Sequence, residues 1–336
     1  MPTTSTFGQS QLRPRIRERL SHLRTRLLEF LFPETSDSWL SILRIGLGVQ
    51  IVLYCLSMRG DWDHIFAEPG RGWISRELLE TLLRVQAPLV PRFGWLLTIG
   101  NYFGLSEETV LRAAWILLLA AGCFILVGFC CRISAIVTWF LHLCAVSGGV
   151  LTYGMDNFTT IGLFYLMLAP FPDRYSLDRR LRRASGKDKH QHGFFRRVLQ
   201  LHLCIIYFFS GLNKCLGTGW WNGDNMWLAL TRAPFNVLPV DLIKSCHFVL
   251  PFAGIAVCVL ETCYPFFIWP RRTRPIWFVS ILAMHVAIGL AMGLYLFGLI
   301  MIILNIAAFG PGVFGRERTN RAVMEAELSR RPIPTS

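Results

Sequence analysis

Charge is what this chain has least of. Asp, Glu, Lys and Arg make up 16% of its 336 residues, against roughly 25% in soluble domains. That is too little to clothe a water-facing surface, so a soluble globular protein is excluded. Enzymatic signatures are also missing. There is no GxxxxGK[ST] phosphate loop, no HExxH, no GxSxG elbow and no Rossmann fingerprint joining a strand to a helix. Nucleotide-dependent, zinc-protease, serine-hydrolase and nicotinamide chemistry therefore have no support. The first 37 residues are polar and arginine-rich and lack the apolar core of a secretory signal peptide, so the first span must act as the insertion signal. None of the ten cysteines forms a zinc-type CxxC pair. Most lie in apolar runs, where cysteine is a small hydrophobe. Only Cys215 and Cys246 fall where an oxidising compartment would permit a disulfide.

What is present is apolar length. Hydrophobic residues reach 53% and mean hydropathy is +0.44. Eight apolar segments lie at about 39–58, 110–131, 134–154, 157–170, 198–216, 248–269, 276–294 and 296–310. A straight crossing needs roughly 20 residues, so the fourth and eighth are short. The expected fold is all-α, a multi-pass bundle of about eight spans.

The net charge of +13 does not read as a nucleic-acid surface, because the basic residues cluster between spans. With both termini cytoplasmic, inner segments hold 24 Lys and Arg and outer segments 8, Arg44 and Arg112 lying within spans. That asymmetry fits the positive-inside rule. Residues 1–37 are then a basic cytoplasmic segment, its RIRERLSHLRTRLLEFLF stretch reading as an amphipathic surface helix or a solvated topogenic tail. Residues 38–312 form the membrane domain and 313–336 a cytoplasmic tail. In the long outer loop, RELLETLLRVQ (76–86) predicts a helix. Ser106 predicts an N-cap, with Glu107 and Glu108 in the first turn.

A few polar residues interrupt the spans. Lys214 arrives at the outer end of the fifth segment, where an ammonium costs free energy unless it snorkels or is used. The third segment delivers Tyr153, Asp156 and Asn157 to the same face. Glu261 is expected ~20 Å below the outer end of the sixth segment, and His285 ~14 Å deep in the seventh. Glu261 needs protonation or a cation such as Arg44 or a histidine. Arg44, on the inner side, either snorkels or pairs with a carboxylate. His285 reads by default as a satisfied interhelical hydrogen bond. His142-Leu-Cys144 and His202-Leu-Cys204 repeat an HxC pattern, but residues i and i+2 do not share a helix face, so neither pair makes a metal site. Trp220 and Trp221 form an outer aromatic belt or wall a flat ligand.

The segment YFFSGLNKCLGTGWWNG (207–223), with TYGMDNFTTIGLFYLML (152–168), ETCYPFFIW (261–269) and AMHVAIGLAMGLYLFGLIMIILNIAAF (283–309), resembles the membrane domain of the vitamin K-dependent γ-carboxylase family. Its bacterial relatives are the HTTM (horizontally transferred transmembrane) proteins. The resemblance covers roughly residues 38–312. It implies that Lys214 is the base that deprotonates reduced vitamin K or another quinol, with O2 and CO2 as co-substrates and no metal. It also implies that His285 belongs to the active region. Tyr153, Asp156, Asn157, Trp220, Trp221 and Glu261 are the pocket candidates. The implied reaction is an oxygen-linked modification, glutamate γ-carboxylation in the animal enzymes, of a secreted peptide or protein at the outer face of a bacterial cytoplasmic membrane. Three departures stand beside it. The adjacent lysine pair of the family is Asn213-Lys214 here. The stretch 157–160, which carries a histidine in the animal enzymes, is Asn-Phe-Thr-Thr. The large lumenal domain that binds propeptides has no counterpart in this sequence. These departures favour an alternative in which the protein is a non-enzymatic membrane partner for maturation, export or immunity of a secreted peptide.

Overall fold

The computed structural model describes residues 21–67, 76–148, 152–182 and 188–329. Among these there is no strand. Eight long helices carry the architecture: α1 (Ser38–Ser57), α2 (Glu107–Val127), α3 (Cys131–Gly148), α4 (Gly154–Leu168), α5 (Lys189–Cys215), α6 (Leu250–Phe267), α7 (Arg274–Met292) and α8 (Tyr295–Ser329). Seven are long and apolar enough to cross a membrane, α8 through its first part, Tyr295–Val313. The fourth expected span, α4, has 15 residues, about 22 Å of rise. The helix at 21–31 matches part of the predicted surface helix; the rest of that prediction lies outside the described residues.

Helices α1 and α8 form the centre. The buried residues of α1, Trp39, Leu40, Leu43, Leu47, Ile51 and Tyr54, recur every three or four positions, as one helix face requires. They pack against α2, α4 and α8. α8 joins this half to the second one, where α5 runs along α6 and α7 along α8. Ser106 caps α2 as predicted, its hydroxyl accepting from the Thr109 amide at 3.3 Å. Residues 76–86 are helical, also as predicted.

At the end of the bundle where α1 starts, the stretch after α4 acts as a strap. Arg44 does not snorkel. It is 1% exposed, and its Nε donates to Asp173 Oδ2 at 2.7 Å. Its Nη1 donates to the Ile125 and Leu126 carbonyls, both at 2.7 Å. Ser41 adds a 2.6 Å bond to Asp173. Five residues on, Asp178 accepts from the Cys130 and Cys131 amides, supplying the acceptor that the start of α3 needs. The strap thus ties α1, α2 and α3 together through two carboxylates.

Two expectations change. Continuation of α8 to Ser329 means that the tail placed after Gly312 begins as an extension of the last helix. Cys215 and Cys246 are both free thiols; Cys215 Sγ instead lies 3.5 Å from Thr262 Oγ1.

Candidate functional site

The site is built where α5 ends against the middle of α6. Tyr207, Ser210, Gly211 and Lys214 recur at helical spacing, so they share one face of α5. Antiparallel to it run Cys258, Glu261 and Tyr264 of α6, all buried. Gly211 permits the close approach. A Cβ there would collide with the Thr262 amide and lie 2.9 Å from the Glu261 carbonyl carbon. A Gly211→Val variant is therefore expected to lose about 1–3 kcal/mol by overpacking, read as a lower unfolding temperature in detergent. A Tm unchanged from wild type would show that the helices part at no cost.

Lys214 is not at an outer edge. α5 stops alongside Glu261, which lies eleven residues past the start of α6, about 16 Å along its axis. The chain then turns over the lysine as two short helices, Thr218–Trp221 and Asp224–Thr231, which pack on the first turns of α6. The ammonium does not run out to the helix end. Nζ donates to Glu261 Oε2 at 2.5 Å and to Ser210 Oγ at 2.6 Å, and lies 5.5 Å from the centre of the Trp220 ring. The side chains of Lys214 and Glu261 are 20% and 8% exposed. Glu261 thus finds its cation in Lys214 and not in Arg44, which Asp173 occupies. An ion pair this dry is held by geometry and by accessory hydrogen bonds, here from Ser210.

Beneath the pair lies a second network. Tyr207 Oη is 2.7 Å from His285 Nε2 and accepts from Asn305 Nδ2 at 2.8 Å. Tyr264 Oη donates to Asn305 Oδ1 at 2.8 Å. With Asn305 donating to the Tyr207 oxygen, the hydroxyl proton is directed at His285 Nε2. The network therefore assigns the imidazole proton to Nδ1. That Nδ1 is buried and has no partner among the described residues. No hydrogen bond joins His285 to Lys214.

The remaining candidates lie elsewhere. Trp221 is exposed, its Nε1 donating to the Cys215 carbonyl at 2.8 Å. Asp156 is buried but accepts from the Tyr153 amide at 3.0 Å, so it caps α4. Tyr153 and Asn157 are exposed. None of these three makes a hydrogen bond or ring contact with Lys214, Glu261 or His285. They adjoin a different polar group on α1, α3 and α4. There Gln50 Nε2 donates to the Leu296 carbonyl at 3.1 Å, and His142 Nδ1 lies 3.1 Å from Thr160 Oγ1. His202 of the other HxC pair bonds to Tyr165 Oη at 3.0 Å. Both line an apolar cavity of about 440 Å³ with Trp139, Phe164 and Phe195, twelve residues or ~18 Å along α5 from Lys214.

Ser210, Tyr207, Tyr264 and Asn305 escaped the sequence reading. The signal for the first two was available, because they precede Lys214 by four and seven residues. Nothing in the sequence alone pairs Tyr264 with Asn305, forty-one positions apart.

A family model for the HTTM domain matches residues 93–311, more than half of the chain. The chain belongs to the HTTM family. No curated protein and no solved structure matches it. The matched region of this HTTM protein takes in α2 to α7, most of the spanning part of α8, and with them Lys214, Glu261, His285 and Asn305. Together with the seven spanning-length helices, it makes the chain an integral membrane protein. α1, which holds Arg44 and Gln50, precedes the match.

Proposed function

We infer that this HTTM protein is a membrane-embedded enzyme in which Lys214 is the base for a lipid-soluble quinol, acting with Glu261 as its proton partner. One observation carries the reading: a lysine held 2.5 Å from a buried carboxylate, under an indole ring, inside the bundle. The residues fit a quinol head group. Trp220 offers a flat apolar wall, and His285 Nδ1 is a buried donor without a partner, as a ligand oxygen requires. A bound quinol would supply the reducing equivalents for O2, and CO2 is the group added if the reaction is γ-carboxylation.

The chain's own residues do the proton work. Proton transfer from Lys214 Nζ to Glu261 Oε2 leaves a neutral amine, the form that accepts a proton. Low polarity favours this exchange, because it replaces two buried charges by two neutral groups. Ser210 Oγ keeps Nζ oriented throughout. Tyr207 and Asn305 fix the His285 ring, so that Nδ1 remains the donor. The family resemblance supplies the substrate class, a glutamate-containing secreted peptide, reached at the outer face of a bacterial cytoplasmic membrane. On the Lys214 side of α6, a cavity of about 470 Å³ lined by Asp224, Trp227, Lys244 and His247 offers polar and aromatic contacts for such a chain.

The test is turnover by the protein reconstituted with a reduced quinone, O2, labelled bicarbonate and glutamyl peptides. Wild type is expected to incorporate label or oxidise the quinol, and Lys214→Ala to do neither. Equal quinone binding and no turnover in both proteins would remove the basis of the reading.

A second reading rests on the same pair. Lys214 on α5 is bonded to Glu261 on α6, as a clamp between the two helices would be. In that case the protein is a non-enzymatic partner of a secreted peptide, and Lys214→Ala lowers stability while peptide capture persists.

A further inference from the structure

At the opposite end of the bundle from Lys214, three arginines meet with no carboxylate paired to them among the described residues. Arg196 and Arg197 lie in the early turns of α5, and Arg274 opens α7. Backbone oxygens and an amide hold one edge of each guanidinium. Arg196 Nε donates to the Ala308 carbonyl at 2.8 Å. Arg197 Nε donates to the Phe30 carbonyl at 2.8 Å and its Nη1 to Gln200 Oε1 at 2.9 Å. Arg274 Nε and Nη2 donate to the Ile268 and Trp269 carbonyls at 3.1 and 2.5 Å. The other nitrogens, Arg196 Nη1 and Nη2, Arg197 Nη2 and Arg274 Nη1, donate to nothing among the described residues. Cation–π contacts with Phe30 at 4.3 Å and Trp269 at 4.9 Å hold Arg197 in place.

The three line one cavity of about 190 Å³, with Thr35, Gln200, Trp269 and Gly312. At ~30 Å³ per water, this is room for about six water volumes. Gly312 keeps the space open: a Cβ there would sit 3.1 Å from Arg274 Nη1 and 3.5 Å from Arg196 Nη2. A fourth group points to a ligand independently. The Thr35 hydroxyl lines the same cavity, is buried, and has no partner among the described residues. Topogenic arginines need only reach water. They do not need to be held edge-on by backbone and to line one cavity beside an unsatisfied hydroxyl. Arginine forks of this kind match the oxygens of a phosphate.

We propose that this cavity binds a phosphate group, held by Arg196, Arg197, Arg274 and the Thr35 hydroxyl. An anionic phospholipid head group and free phosphate share that chemistry. The lipid source fits the position, between helix ends at the arginine-rich end of the bundle.

The test uses the full chain, purified lipid-free in neutral detergent. Its thermal unfolding is followed with short-chain phosphatidylglycerol, short-chain phosphatidylcholine or inorganic phosphate. Phosphatidylglycerol is expected to raise Tm saturably, and phosphatidylcholine to do so far less, since its choline cation meets three guanidinium groups. Arg274→Gln and Thr35→Val are each expected to weaken the apparent affinity about tenfold, the loss of one charge-assisted or buried hydrogen bond. Thr35→Val removes a hydroxyl that nothing in the protein satisfies, so its lipid-free Tm should hold even if Arg274→Gln folds poorly. Stabilisation by inorganic phosphate, with competition against the lipid, would support the site and identify free phosphate as its source. The proposal is overturned if neither anion raises Tm more than phosphatidylcholine does. Wild-type affinity in Thr35→Val and in every folded arginine variant would overturn it equally.

Discussion

Asp173→Ala will be among the least stable single variants of this protein, losing about 3–5 kcal/mol. The reason is what remains. Arg44 is 1% exposed and Asp173 is fully buried, so removing the carboxylate leaves a buried guanidinium whose remaining hydrogen bonds among the described residues go to two carbonyls. Those carbonyls, Ile125 and Leu126, neutralise nothing. Ser41 loses its acceptor in the same step. Reversible unfolding in mixed micelles reads the loss directly. An Arg44→Met/Asp173→Leu double variant is expected to recover most of it, because an apolar pair removes both desolvation penalties at once. A single variant within about 1 kcal/mol of wild type would mean that water reaches the pair.

The second large effect concerns function. Glu261→Gln keeps the shape of the side chain and a hydrogen bond to Lys214, but an amide oxygen is no proton acceptor at working pH. If Glu261 takes the proton that makes Lys214 a free amine, turnover should fall about 10²–10⁴-fold, with quinol binding retained. If the pair is only a clamp between α5 and α6, Gln serves nearly as well and any assayable function survives. The comparison of kcat with quinol affinity in this one variant therefore separates the two readings. Lys214→Ala alone does not, because it removes clamp and base together.

Much of the fold was legible in the sequence. Long apolar runs end where glycine, proline and charge accumulate, so α1 to α4, α6 and α7 fall within about six residues of their expected limits, while α5 begins nine residues earlier and α8 ends nineteen residues later than expected. The Ser106 cap and the 76–86 helix followed from local chemistry. Lys214 stood out because a lysine beside hydrocarbon is costly wherever it sits. Its depth did not. The end of α5 was readable, but not its start at Lys189, nor that the chain after Cys215 folds back over it, which is set by packing against α6. Partner choice was the other gap. Glu261 was seen to need a cation, with Arg44 and histidine as the options considered. Only the fold shows that Asp173 has already taken Arg44. Pairings across a hundred or more residues depend on which helices become neighbours, and periodicity along one helix carries no such information.

The Arg44–Asp173 bond also imposes an order of events on synthesis. The two residues are 129 positions apart. At ~5–20 residues per second, roughly 6–26 s pass between making the cation and making its carboxylate. During that interval α1 exists with its charge uncompensated, and α2 and α3 have no partner holding them to it through the strap. A ribosome stalled before residue 173 would leave four helices, α1 to α4, that are individually complete but not locked. The strap's carboxylates, Asp173 and then Asp178, thus reach α1 and α3 only after both helices have been made.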